Sequence, residues 1–267
     1  MCYSLSQRFY KSYQAAKKDG TNHENLRELY VKFMEQYNRE QAGKDSADIP
    51  FKYYYVNGFD HPKLMVITND RSAFIQEMEW GFIPPWVKDK ETALKMSNVC
   101  LNARGETIFE KPAFREAIET KRCLIVVDSF FEYQHRNRKK YPHRIKRADG
   151  NDLLLAGIWA KWLDPEIGES KTTCSIVTTK ANDMMAEIHN NPQLKEPRMP
   201  LILSEKEGQE WLLAESNEKV ETLIKSAQID LVSHTVGQLT GDKAVGNSSK
   251  AHEEHIYPEL VARTLFD

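Results

Sequence analysis

Short apolar runs rich in β-branched and aromatic side chains recur along this chain without the regular helix-length spacing of βαβ units. That pattern restricts the fold more than any other feature. Phe51 to Val56, Leu64 to Thr68, Arg122 to Val127, Leu153 to Trp162, Cys174 to Thr179 and Met199 to Leu203 read as strands, with His61-Pro62 turning the chain between the first two. Helices are expected over Ala93 to Val99, around Pro112 to Thr120, and over Asn182 to His189, Glu205 to Leu213 and Val220 to Ser226. Strands interleaved irregularly with short helices predict an α+β domain with a mostly antiparallel, barrel-like β core. The expectation is one domain over residues 1–267, with a helical insertion at about 12–45, where Leu26, Leu29, Tyr30, Phe33 and Met34 recur at helical spacing.

Two segments break the regular pattern. Trp80-Gly81-Phe82-Ile83-Pro84-Pro85-Trp86 holds two prolines and a glycine and is expected as an irregular loop. Arg136, Arg138, Lys139, Lys140, Arg144, Lys146 and Arg147 form a cationic run, read as two solvated strands with Ala148-Asp149-Gly150-Asn151 as a turn signal.

The chain has 267 residues, 40% of them hydrophobic, which is enough to bury a substantial core. A formal net charge of -2 argues against a uniformly basic coat, so any phosphate-binding surface must be local. Cys2, Cys100, Cys123 and Cys174 lie far apart with no C-x-x-C pair, which suggests neither a zinc site nor a disulfide framework. Reduced thiols, the absence of a secretory signal and the absence of a membrane-length apolar run predict a cytoplasmic protein without metal.

The chemistry-bearing residues start at the N-terminus. Cys2 follows Met1, and excision of Met1 would leave a terminal cysteine whose amine and thiol both have pKa values of about 8. Together they can trap an aldehyde, the amine as an imine and the thiol by closing a five-membered thiazolidine. Glu132 follows an apolar strand among Phe130, Phe131 and Tyr133, where burial would raise its pKa; a solvated strand-end glutamate is the ordinary alternative. His189 ends a helical stretch, as many structural histidines do. Asn102 and Arg104 alternate along an extended segment and so point the same way, toward a site or into a buried network. Arg198, just before a strand, fits either a phosphate or a paired carboxylate.

Cys2, Trp80-Gly81-Phe82-Ile83-Pro84, Asn102-Ala103-Arg104-Gly105-Glu106-Thr107, Arg122-Cys123-Leu124-Ile125, Phe130-Phe131-Glu132-Tyr133, Ala156-Gly157-Ile158-Trp159, Ile188-His189 and Arg198-Met199-Pro200 occur in one order. In these motifs the chain resembles the SOS-response-associated peptidase family, also called abasic-site processing proteins. The resemblance implies a single barrel-like domain that binds single-stranded DNA and joins its terminal cysteine to the ring-opened sugar of an abasic site. Carried over residue by residue, it implies Cys2 as nucleophile and Asn102, Glu132 and His189 as catalytic. It implies Arg104 and Arg198 as contacts to the DNA backbone, and Pro62, Trp80, Tyr133 and Thr178 as lining the groove. It also implies no cofactor, no metal, no membrane, a monomer, and action at the nucleoid during repair, with lyase or self-processing peptidase activity alongside. An N-terminal-cysteine peptidase or amidohydrolase is the alternative, and a non-catalytic binder using the cationic run is a third class. The chain departs from the family at Tyr3-Ser4, where relatives carry Gly-Arg, and in the longer loop Asn190 to Pro197.

Overall fold

Five strands close on one another into a ring, and most of the molecule is arranged on that ring. The computed structural model describes residues 2–8, 52–72, 74–226 and 228–261; the helix expected at about 12–45 lies outside the described residues. The ring is made by β3 (Lys63–Thr68), β4 (Ile75–Trp80), β6 (Arg122–Val127), β9 (Leu153–Leu163) and β10 (Ser170–Lys180). β3 pairs antiparallel with β4 and with β6, β6 with β9, and β9 with β10; β10 returns to β4 in parallel register. β5 (Asn102–Arg104), β11 (Arg198–Pro200) and β12 (Ile202–Leu203) extend the ring at its margins.

Alternation along these strands divides the core in two. Leu64, Val66, Met78, Cys123, Ile125, Leu155 and Ile176 belong to one cluster. Met65, Ile67, Leu124, Val126, Leu154, Ala156 and Val177 belong to another, together with helix residues Ile118, Trp211, Leu223 and Ile224. The second set is the outer face of the barrel, covered by α2 (Arg115–Thr120), α4 (Glu205–Leu213) and α5 (Asn217–Ser226); the first is its interior. Strands crowd together at Gly157, where an added Cβ would stand 2.9 Å from Cys123 Sγ and 3.0 Å from the Ser175 carbonyl. Only glycine allows that approach.

A second sheet runs in the order β13 (Leu231–Thr235), β8 (Lys139–Arg147), β7 (Ser129–Arg136), β1 (Ser4–Arg8), β2 (Lys52–Asn57). Its Leu5, Phe130 and Ile145 join the cluster of the barrel interior. Gln7 joins the sheets: its side-chain amide donates to the Val126 carbonyl, and its oxygen accepts the Met65 N–H at 3.0 Å. The chain is therefore a single α+β domain with a mostly antiparallel, barrel-like core.

Several expected elements shift. The hairpin turn within the cationic run falls at Asn137 and Arg138, with φ of 50° and 62°, while the expected turn at residues 148–151 is also present, with Gly150 at φ 79°. Two consecutive left-handed residues give the turn that matches strand twist, and β7 and β8 then pair from Phe130↔Ile145 to Arg136↔Lys139. Residues 148–151 instead carry the chain from one sheet to the other. The run expected over Met199 to Leu203 is two pieces, β11 on β10 and β12 on β9. β1, β4 and β13 are additional strands. Among the described residues no helix is long and apolar enough to cross a membrane.

Arg122 shows how the helices are held to the barrel. It is buried at 4% exposure and donates to the carbonyls of Ile118, Glu119, Trp211 and Ala214, at the C-terminal ends of α2 and α4. These are carbonyls with no partner inside their own helices. Arg122→Leu is expected to destabilise the protein by about 3 kcal/mol in urea unfolding, because several buried acceptors lose their donor together. A loss below about 0.5 kcal/mol would show that those carbonyls find other partners.

Candidate functional site around Cys2

Cys2 enters the structure immediately before β1, 1% exposed and within the cluster that fills the barrel interior. Three elements meet it. β5 lies in parallel register on β10, Ile176 against Asn102 and Thr178 against Arg104. From there the Asn102 side-chain amide donates to the Cys2 carbonyl at 2.9 Å. The oxygen of the same amide is buried and has no hydrogen-bond partner. An orphaned buried acceptor calls for a donor brought by a reactant or by water.

β7 supplies Glu132, 9% exposed, on the same face as Phe130. Burial pushes its carboxyl up to about 7, opposed by the positive charge of the amino terminus and by the Tyr133 N–H, which donates to Oε1 at 3.1 Å. α3 (Asp183–Ile188) brings His189 at its C-terminus, with Asn182 capping its start by accepting the Met185 N–H at 2.9 Å. Asn190 locks this end of α3 to β7, accepting the His135 N–H at 2.6 Å and donating to the His135 carbonyl at 3.1 Å.

The Arg198 N–H donates to His189 Nδ1 at 2.8 Å. Neutral His189 therefore carries its proton on Nε2, which lies 3.8 Å from Glu132 Oε2. That separation is too long for a formed hydrogen bond and short enough to close around a reacting group. Burial, followed by the amino-terminal charge, lowers His189 to about 4. Burial and then the Glu132 charge push the Cys2 thiol well above its usual range. At neutral pH the site therefore holds a neutral thiol, a neutral imidazole and a carboxyl that exchanges its proton.

The structure brings Cys2, Asn102, Glu132 and His189 together, and Arg104 lies beside them with its side chain 44% exposed and its Nη1 3.6 Å from Glu196 Oε1. Arg198 sits elsewhere than at a surface. Its side chain is 1% exposed, with Nη2 2.6 Å from Glu106 Oε2 and Nη1 3.0 Å from Glu196 Oε1, and it donates to the Thr178 carbonyl at 2.9 Å. Its charge is matched internally, and its guanidinium is not open to a phosphate. Trp80 is buried with its indole N–H on the Leu101 carbonyl, and Thr178 is buried against Arg198. Both back the site rather than line an open surface. Tyr133 alternates to the far face of β7, where it packs with Phe131 and Val236. Pro62 is half-buried, its carbonyl accepting the Trp80 N–H. The sequence reading missed Asn190 and Glu196; the longer loop before Arg198 was the available signal for both. Among the described residues no three His, Cys, Asp or Glu side chains gather as a metal site requires.

A barrel closed in this way, with a cysteine at position 2 set between an asparagine, a glutamate and a histidine, defines a class. The chain belongs to the SOS response associated peptidase family, whose sequence model matches residues 20–243. Among its relatives is abasic site processing protein YoqW of Bacillus subtilis, 41% identical over 150 residues, a stretch that is 56% of this chain and 62% of that protein. Abasic site processing protein YedK of Escherichia coli is 27% identical over 195 residues, 73% of this chain and 80% of that one. A crystal structure of a protein from Bacteroides thetaiotaomicron superposes with a TM-score of 0.75 at 30% identity, covering 96% of this chain and all of the other.

The opposed shifts of Glu132 and His189 predict opposed pH effects on stability. Glu132 holds its proton more tightly when folded, so its contribution is full below its ordinary 4.5 and is lost as pH rises through about 7. His189 holds its proton less tightly, so its contribution is full above 6.5 and is lost as pH falls through about 4. Glu132→Gln should raise the melting temperature relative to the parent at pH 8 and leave it nearly unchanged at pH 4. An equal effect at both pH values would mean that Glu132 ionises as an ordinary surface carboxylate.

Proposed function

We propose that this protein binds single-stranded DNA containing abasic sites and forms a covalent thiazolidine between Cys2 and the ring-opened abasic sugar. The observation that carries this reading is the convergence of Asn102, Glu132 and His189 on Cys2, in a family whose relatives are named for abasic-site processing. The proposed setting is the cytoplasm, at the nucleoid during repair, as a monomer without metal or cofactor.

The chemistry follows from the protonation states. With Met1 removed, the Cys2 amine adds to the aldehyde carbon and gives a carbinolamine. Glu132 in its protonated form donates to the hydroxyl, which departs as water and leaves a protonated imine beside the Glu132 carboxylate. The buried thiol is too poor an acid to attack first as thiolate, so it adds after the imine has formed. Its proton passes to the Glu132 carboxylate, sulfur bonds to the imine carbon, and the C=N electron pair falls back on the already protonated nitrogen to complete the ring. A carboxyl near pH 7 can both give and take a proton at neutral pH. His189, fixed as the Nε2–H tautomer, holds the hydroxyl and Glu132 in line. Asn102 holds the Cys2 carbonyl and offers its free oxygen to the amine. Arg104 takes a phosphate, and Glu196 is the carboxylate that the phosphate displaces.

The test is a single-stranded oligonucleotide with one abasic site, scored for a heat-stable shifted band. The parent protein should give that band, and Cys2→Ala should give only an imine that borohydride traps. A retained N-terminal tag should abolish the stable band. Glu132→Gln and His189→Ala should slow the reaction by about 10² to 10⁴ with non-covalent affinity retained. Normal crosslinking by N-terminally blocked protein would sink the thiazolidine reading.

A further inference from the structure

Phe59 is half exposed, at 50%, in the 3₁₀ turn Gly58–Asp60 between β2 and β3. The backbone that carries this ring is held by three hydrogen bonds. Asn57 Oδ1 accepts the Phe59 N–H at 3.0 Å, the Gly58 N–H donates to the Tyr3 carbonyl at 2.7 Å, and the His61 N–H donates to the Gly58 carbonyl at 3.0 Å. A Cβ on Gly58 would stand 3.1 Å from the Trp80 ring, so the turn is pressed onto a buried side chain that cannot give way. An apolar ring is thus held rigidly in solvent.

Among the described residues its ring partner is Tyr3, with centroids 5.2 Å apart and planes tilted by 31°. Tyr3 follows Cys2 in the chain. Its hydroxyl feels burial first, then the charges of Glu132 and of Cys2, which raise its pKa, and the Arg104 charge, which opposes them. Tyr3 therefore links the exposed Phe59 ring to Cys2, its neighbour in the chain. The other exposed aromatics lack this company: Phe74 lies under Arg71, and Trp86 belongs to the Pro84-Pro85 loop.

We propose that Phe59, set at its angle by Tyr3, is a stacking shelf for the nucleobase next to the abasic nucleotide. The inference rests on the DNA reading above and specifies which part of the strand occupies this surface. An abasic nucleotide has no base of its own, so the stack is broken at the lesion and the sugar is poorly held. A neighbouring base laid on Phe59, with its phosphate on Arg104, fixes the strand beside the bond that forms at Cys2. Stacking of this kind tolerates any base, because every base offers a π face.

The probe is single-stranded DNA with a non-reactive tetrahydrofuran abasic analogue and 2-aminopurine placed on its 5′ or its 3′ side. Binding to the parent protein should quench the fluorescence at one of the two positions. Phe59→Leu keeps the apolar bulk without a π face; it should remove that quenching and weaken Kd roughly 5- to 100-fold. Phe59→Trp should restore both. No quenching at either position with the parent protein, or unchanged quenching in Phe59→Leu, overturns the shelf, and the first of these does not depend on any variant folding. Crosslinking of the parent protein to a natural abasic strand, run alongside, separates the two claims. Crosslinking without position-specific quenching removes the shelf alone, whereas failure to bind or crosslink removes the DNA reading with it.

Discussion

The buried guanidinium of Arg198 joins the pieces of chain that converge behind Cys2. It holds Glu106, which follows β5, Thr178 on β10 and Glu196 in the loop after α3, while its own N–H fixes His189. A cation taken out of water costs several kcal/mol unless its partners are in place. Only one arrangement of β5, β10 and the 190–197 loop satisfies it. That arrangement also sets Asn102 against the Cys2 carbonyl and points the Nε2–H of His189 at Glu132. A side chain that looks like a ligand contact is the brace that gives the contact residues their geometry.

The protonation states of the site share one dominant cause. Cys2, Glu132 and His189 are all buried, and for all three the largest effect is loss of solvation, which favours the neutral form. The thiol and the carboxyl rise and the imidazole falls. Only the carboxyl ends near neutrality, because it starts low; the thiol moves out of range above and the imidazole below. A closed barrel whose interior cluster extends to Cys2 is therefore what makes Glu132, rather than His189, the group able to exchange a proton at pH 7.

The main strands were legible because they are buried on both faces and read as unbroken apolar runs, as in Arg122 to Val127 and Leu153 to Trp162. β4 was not, since Gln76, Glu77 and Glu79 interrupt its buried Ile75, Met78 and Trp80. β13 is an edge strand of half-buried residues with no apolar stripe. The Asn137-Arg138 turn was hidden because arginine does not signal a left-handed backbone, whereas the Asp149-Gly150 pair does, and the chain turns there too. At the site, the family resemblance pointed to Cys2, Asn102, Glu132 and His189, and the fold brings these four side chains together. The resemblance could not say which arginine is exposed: Arg104 and Arg198 look alike until Glu106 and Glu196 are folded against one of them. Tyr133 was misplaced for a simpler reason, since neighbours on a strand face opposite ways.

The central claim is that Glu132, lifted by burial, is the proton-exchanging group of a reaction at Cys2. The pH dependence of the rate of covalent adduct formation with abasic single-stranded DNA tests it most directly. The account predicts an inflection near pH 7, at the value that burial gives Glu132, and its disappearance in Glu132→Gln. A profile that keeps the same inflection in that variant would contradict it.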